Sequence, residues 1–190
     1  MESTSCTWPS NDVLMKAYHD EEWGLPVHDD LKWFEYILLD AFQAGLSWKT
    51  ILHRREGFRK AFDNFDYVKI AAYTESDYDR LLIDTSIIRN RAKIRASITN
   101  AQAFLKIRDD FGTFDNWIWQ FTGGKPIVNH NKQLSDLAVR TELSDLISKE
   151  LKKKGFSFVG STICYSFMQA AGMVNDHMEY CFRYEICCGR

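Results

Sequence analysis

Four potential metal ligands stand at opposite ends of this sequence, and they constrain its fold more than any other feature. Cys6 and His19 lie near the start; His177 and Cys181 lie near the end. His177 and Cys181 are spaced i,i+4, so on a helix they share one face. Two thiolates and two imidazoles suffice to close a tetrahedral zinc site. Such a site clips the termini together and leaves no open coordination position, so a metal there serves architecture and the chemistry lies elsewhere. The competing reading is four unrelated buried side chains: zinc fingers keep each ligand pair close in sequence, and only the second pair here is close. Spacing leaves both readings open.

The other cysteines add no second framework. Cys164 lies in the apolar run from Phe158 to Met173 and reads as a packed core thiol. Cys187 and Cys188 are adjacent, a poor geometry for a disulfide with each other. An odd total of five cysteines argues for a reducing compartment, here the cytoplasm. No basic segment followed by an apolar stretch marks a signal peptide, and no run of about 18 apolar residues marks a membrane span. A chain of 190 residues, 45% hydrophobic, can bury one core, as a single domain or two small lobes sharing it. A monomer is expected.

The net charge of −2 hides an asymmetry. Residues 1–50 hold nine acidic and three basic residues, so the remainder carries +4. Its basic residues cluster at Arg54, Arg55, Arg59 and Lys60, at Arg89, Arg91, Lys93 and Arg95, and at Lys149 and Lys152 to Lys154. Such clusters are commonly solvated helix faces, but three on one small chain suit a polyanionic partner. Lys152 to Lys154 precede Gly155 and also suit a helix C-terminus.

Few prolines and few alternating runs predict an all-α chain. Helices are expected over 30–44 (Leu31, Phe34, Leu38 and Ala41 on one face), 47–55, 57–63, 75–82, 90–107 (Ile94, Ile98, Ala101 and Leu105 as its stripe), 113–121, 141–153 and 160–173. Residues 125–138 read as a loop. No repeat or long linker divides the chain.

Three segments suit chemistry. Ala17 to Gly24 and Leu38 to Trp48, together with Trp8, gather three tryptophans and Tyr18 around one carboxylate. Aromatic residues at helical spacing are commonly core. Asp40 resists that reading, because its helical neighbours Tyr36, Ile37, Leu39 and Ala41 are apolar or aromatic, and a carboxylate there costs free energy without a partner; an aspartate near a helix end fits as well. The third segment, Leu81 to Ile94, reads as helix, tight hairpin and basic helix, able to aim backbone N–H groups at a phosphate or simply to connect two helices.

Longer strings carry a resemblance. Cys6-Thr7-Trp8, Tyr18-His19-Asp20, Glu22-Trp23-Gly24, Gln43 to Trp48, Ile87 to Arg91, Cys164 to Ala170 and Val174 to His177 followed by Cys181 resemble the 3-methyladenine DNA glycosylase I family, across nearly the whole chain. The resemblance implies the helix-hairpin-helix DNA glycosylase fold, two helical lobes around a cleft. The hairpin element would span about 76–105, and termini 1–25 and 174–185 would be packed together by one structural Zn2+ on Cys6, His19, His177 and Cys181. It implies that Asp40, Tyr18 and Trp48 surround a flipped base as the catalytic group, that Trp8 and Trp23 complete the pocket, and that Ser166 approaches the abasic sugar. Gly45 and Leu46 would sit at the DNA gap, with Leu46 as plug, and Ser86, Arg89, Arg91 and Lys93 would hold the backbone.

The implied function is base-excision repair. An enzyme acting on a duplex base must extrude it and read its edge while stacking it. N3-methyladenine is cationic as a nucleoside, so aromatic faces favour it over adenine, and its charge already weakens the glycosidic bond. With no lysine nucleophile to nominate, the expectation is a monofunctional hydrolase that acts on alkylated double-stranded DNA and releases free 3-methyladenine. Two positions depart from the family pattern: Asp40 stands where glutamate is typical, withdrawing the carboxylate by one methylene, and Ser86 stands where glycine is frequent, which matters if φ is positive there. Asp109 and Asp110 are placed where the wider superfamily has a catalytic aspartate, but neither is assigned. Two alternatives remain: a zinc-stapled damage-binding module that cleaves weakly because of Asp40, and a helical interaction protein whose tryptophans are all core.

Overall fold

Polar side chains start most of the helices by accepting the free N–H groups of the first turn, each contributing about 1 kcal/mol. Asp12 accepts from Met15 N at 3.0 Å to open α1 (Val13–Glu21), and Asp29 accepts from Lys32 N at 2.8 Å to open α2 (Asp30–Gln43). Ser47 opens α3 (Trp48–Leu52), α4 follows at Arg55–Ala61, and Asp66 opens α5 (Tyr67–Ala71). Asp77 accepts from Thr74 N at 2.9 Å beside α6 (Glu75–Ile83). Asn90 opens α7 (Arg91–Phe111), Thr113 opens α8 (Phe114–Ile118) and Thr141 opens α9 (Glu142–Lys153), while α10 (Ser161–Ala170) starts without a side-chain cap. The computed structural model describes residues 4–188, so residues 1–3 and 189–190 of the expected 1–190 domain lie outside the described residues.

Helix α2 is the centre of the core. Every residue from Trp33 to Phe42 is buried, so the helix is covered on all sides, by α7, α8 and α10 among others. Its start is tied to α8: Asp30 accepts from Phe114 N at 3.2 Å and Asp115 N at 3.1 Å, and the Trp33 indole donates to Asp115 at 2.9 Å. Phe34, Leu38 and Ala41 are core as expected. Leu31 is not: it is 48% exposed, because the first turn of α2 projects beyond the core.

The expected helices occur with shifted ends: 47–55 and 57–63 become α3 and α4, and 90–107 continues to Phe111 before Gly112 ends it. Helices α1 and α5 were not anticipated. The chain is mostly helical rather than all-α. Ile127–Val128 (β1) pairs in parallel with Val174–Asn175 (β2), because β2 is buried and its backbone groups need partners, which the more exposed β1 supplies.

That pairing also corrects the geometry expected of the C-terminal ligand pair. His177 and Cys181 do not share a helix face; His177 follows β2, and Cys181 closes a turn whose N–H donates to Met178 O at 2.8 Å. The N-terminal segment reaches the same place, where Phe182 N–H donates to Thr4 O at 2.9 Å and Met178 N–H to Cys6 Sγ at 3.4 Å. Among the described residues, no helix is long and apolar enough to cross a membrane.

Candidate functional site

The second half of α2 carries Asp40 to the wall of a cavity of about 170 Å³. Tyr18 on α1, Trp48 opening α3, Trp8, Trp23 and Ser166 on α10 line the same space, so the structure brings six sequence-predicted residues together. Gln43, Gln169, Ala170 and Leu137 complete the lining and were missed. Gln43 is three residues from Asp40 and Gln169 three from Ser166, so same-face helical spacing was the signal available for both. Leu137 arrives from the 125–138 loop, where no periodicity points inward.

The aromatic walls are close: Tyr18 and Trp48 ring centroids are 5.1 Å apart, and Trp8 and Trp23 are 5.0 Å apart at 67°. Asp40 is 2% exposed and its Oδ2 has no hydrogen-bond partner. Burial pushes its carboxyl well above the usual carboxylate range and so favours the neutral acid. Burial likewise raises Tyr18, which stays a phenol. The indole N–H groups of Trp8 and Trp48 are also buried and unpartnered. Buried polar atoms are almost always satisfied; here three orphans belong to residues that line one cavity.

Gln169 is held from behind. Buried Asp176 accepts from Gln169 Nε2 at 2.7 Å, Tyr165 OH at 2.8 Å, Asn129 Nδ2 at 2.6 Å and Asn131 Nδ2 at 3.0 Å. With one amide N–H given to that carboxylate, Gln169 is held with its nitrogen toward Asp176, which fixes the orientation of its amide at the cavity wall. Glu22, next to Trp23, accepts from Arg55 at 2.6 and 2.7 Å and Lys32 at 2.8 Å. Burial works to raise Glu22, yet Arg55 and Lys32 hold it at about 2.

Residues 43–46 form a tight turn at the end of α2. Ala44 has φ −48° and ψ 115°, Gly45 has φ 78°, and Leu46 N–H donates to Gln43 O at 2.6 Å. These are the angles of a type II turn, whose third position requires φ > 0 and therefore favours glycine. Leu46 is 41% exposed. Lys93, expected on a DNA-facing surface, is placed otherwise: it is 6% exposed and donates to Phe42 O at 2.8 Å and Ala44 O at 2.5 Å.

The loop between α6 and α7 leaves Arg89 and Arg91 exposed, with no acidic partner among the described residues. Asp84 accepts from Ser86 N at 2.8 Å and Ser86 Oγ at 2.6 Å, and Arg54 donates to Thr85 O at 3.1 Å. Ser86 is not among the described residues with positive φ, so serine fits there without strain. The close approach falls on Gly57 instead, where a Cβ would meet Ser86 O at 2.5 Å.

Three of the four expected metal ligands, Cys6, His19 and Cys181, place their donor atoms within 4.8 Å of one another. Cys181 Sγ is 3.6 Å from His19 Nε2. A hydrogen bond between the two sulfurs lowers the Cys181 thiol and raises that of Cys6. His177 is buried beside them, its ring centroid 5.0 Å from that of His19. Its Nδ1 meets Asn175 Oδ1 at 3.0 Å, its Nε2 has no partner, and burial with the charges of His19 and Arg183 holds it at about 3, neutral and able to ligate. Two sulfurs, an imidazole and an orphaned second imidazole fit a tetrahedral N/S metal. The group backs onto the cavity: Trp23 lies 4.6 Å from the His177 ring and Trp8 5.4 Å from that of His19.

Known proteins match this chain along nearly its full length. A family model described as methyladenine glycosylase matches residues 8–184. The chain is 50% identical to the DNA-3-methyladenine glycosylase 1 of Escherichia coli over 179 residues, covering 94% of this chain and 96% of that protein. It is 45% identical to the DNA-3-methyladenine glycosylase of Haemophilus influenzae, covering 94% and 97%. Its structure is similar to a solved 3-methyladenine DNA glycosylase I at TM-score 0.91 and 49% identity, covering 94% and 98%. It is also similar to the Staphylococcus aureus 3-methyladenine DNA glycosylase I, solved for its recognition of 3-methyladenine, at TM-score 0.92 and 34% identity, covering 95% and 96%.

Proposed function

Because the chain belongs to the methyladenine glycosylase family and is a DNA glycosylase, we propose that it removes N3-methyladenine from alkylated double-stranded DNA by base flipping and monofunctional hydrolysis of the N-glycosidic bond. The observation that carries this reading is the unpartnered Asp40 carboxyl enclosed by Tyr18, Trp8 and Trp48. At about 170 Å³ the cavity is well below the roughly 300–1,000 Å³ typical of drug-sized sites, which suits one base and no attached sugar.

Selection follows from charge. Neutral adenine gives Asp40 no reason to ionise, so its carboxyl stays an acid. A cationic N3-methyladenosine unit favours the carboxylate at its edge and the electron-rich faces of Tyr18 and Trp48. Bond cleavage sends the glycosidic electron pair into the base, which cancels its charge and leaves as 3-methyladenine. The sugar becomes oxocarbenium-like and is captured by water, whose proton passes to solvent; Ser166 faces that sugar. No lysine lines the cavity, so no Schiff base forms and no strand is cut.

In this reading α6, its loop and α7 are the helix-hairpin-helix element between the two lobes. Arg89, Arg91 and the exposed Ser86 face phosphates, while Gly45 and Leu46 enter the gap left by the base. Cys6, His19, His177 and Cys181 would hold one structural Zn2+, which supplies a clamp between the termini and no step of the reaction. The protein acts as a monomer in the cytoplasm.

Chromatography of bases released from methylated duplex DNA tests the reading with the wild-type chain, Asp40→Glu and Asp40→Asn. Release of 3-methyladenine that Asp40→Asn lowers by about tenfold or more is expected. Activity appearing only with Asp40→Glu would mean a damage-binding module with a detuned pocket. Silence from all three folded proteins would remove the enzymatic reading.

A further inference from the structure

Lys93 is a buried cation that the reading above leaves without a task. Its two hydrogen bonds go to Phe42 O and Ala44 O, and the ring of Phe158 lies 6.0 Å from Nζ. Phe158 has φ 58°, a costly conformation for a bulky residue. Asn100 holds the backbone just before it, accepting from Ser157 N at 2.8 Å and donating to Ser157 O at 3.1 Å. Of these groups it is Lys93 that reaches the end of α2 and the turn that follows it.

Ala44 O belongs to the central peptide of that turn. Rotating this peptide converts type II to type I, moving ψ of the second residue from about +120° to about −30° and φ of the third from about +80° to about −90°. Glycine accepts both states. Nothing lies within 4 Å of the position a Gly45 Cβ would take, so packing around Gly45 does not choose between them. A hydrogen bond that captures the Ala44 carbonyl does.

We propose that Lys93 is a positioning residue whose ammonium locks the central peptide of the 43–46 turn, and so sets the direction in which Leu46 projects beside the cavity residues Gln43 and Trp48. The same ammonium joins the start of α7, just past the 84–90 loop, to the helix that carries Asp40. This deepens the proposed function and rests on its reading of Leu46 as the side chain that fills the duplex gap.

The test compares Lys93→Met with the wild type on two methylated duplexes, one fully paired and one with the damaged base opposite an abasic site, where less flipping work remains. Release from the paired duplex should fall on the order of ten- to a hundredfold, while release from the second duplex and quenching of tryptophan fluorescence by free 3-methyladenine change little. Equal losses on both duplexes, or no loss on either, would overturn the lock. If Lys93→Met does not fold, Lys93→Gln, whose neutral N–H2 falls one atom short of the ammonium position, is read by the same ratio. Should the wild type release no base, the proposed function falls separately, and the Gly45 amide resonance still reads the lock. It should be single in the wild type and doubled or broadened in the variant; one unchanged resonance in both overturns it.

Discussion

Replacing Asp40 by asparagine should move activity and stability in opposite directions. The substitution keeps the size of a side chain that is 2% exposed and removes only its ability to carry charge. A hydrogen bond to a charged group contributes about 1.5–3 kcal/mol, so release of N3-methyladenine should fall by roughly ten- to more than a hundredfold. Stability follows from linkage. The folded pKa of Asp40 lies above its ordinary value of 3.8. Its neutral form is therefore favoured on folding, and the stability this confers is lost as pH rises through the raised folded value. Near neutral pH the group is a burden that asparagine removes. Each kcal/mol recovered corresponds to about 2–4 °C in a chain of this size. Differential scanning fluorimetry at pH 7–8 beside the base-release assay should therefore show a higher melting temperature with a lower rate. The pH dependence sharpens the test. Because the carboxylate is the working form, wild-type kcat/KM should rise with pH through an acidic limb above the usual carboxylate range, and Asp40→Asn should lack that limb. A variant that melts lower and loses activity would show Asp40 to be a structural residue and refute the argument.

Zinc content should be one atom per chain by elemental analysis, and Cys181→Ser or a strong chelator should lower both metal content and melting temperature while changing tryptophan emission, since Trp8 and Trp23 pack on the imidazoles of His19 and His177. Arg89→Ala should weaken duplex binding without altering free-base affinity and reduce the slope of log K against log salt by about 1; an unchanged slope would take Arg89 off the phosphate. Glu22, held at about 2 against an ordinary 4.5, contributes stability that is present above 4.5 and lost as pH falls toward 2. Urea midpoints measured across that window should drop less in Arg55→Met than in the wild type, and parallel curves would show the ion pairs to be inert.

Asp40 was legible in the sequence because a carboxylate with Tyr36, Ile37, Leu39 and Ala41 as helical neighbours has nowhere polar to go, and the cavity is where it goes. Gln169 was not, because its orientation depends on Asp176, and Asp176 depends on Asn129 and Asn131 from a loop that reads as featureless. Lys93 was misread for a different reason: charge clusters are assigned to surfaces by type, whereas the carbonyls at the end of α2 need a donor that can come from another helix. The short β1–β2 ladder escaped notice since two-residue strands leave no period to detect. Concern over Ser86 dissolved once the backbone there showed no positive φ; the steric demand of that corner is carried by Gly57, across the contact.

Joining the first residues to the last has a consequence for how the protein is made. Cys6, Trp8, Tyr18 and His19 leave the ribosome well over a hundred residues ahead of His177 and Cys181, the side chains that His19 and Cys6 come to meet. At about 5–20 residues per second this separation is roughly ten to thirty seconds. The aromatic wall of the base cavity must stay unfinished throughout that interval, because its backing is not yet translated. A nascent or truncated chain that stops short of residue 174 therefore displays the basic 84–90 loop without a completed pocket, so that the power to cut a glycosidic bond waits for the 174–181 segment.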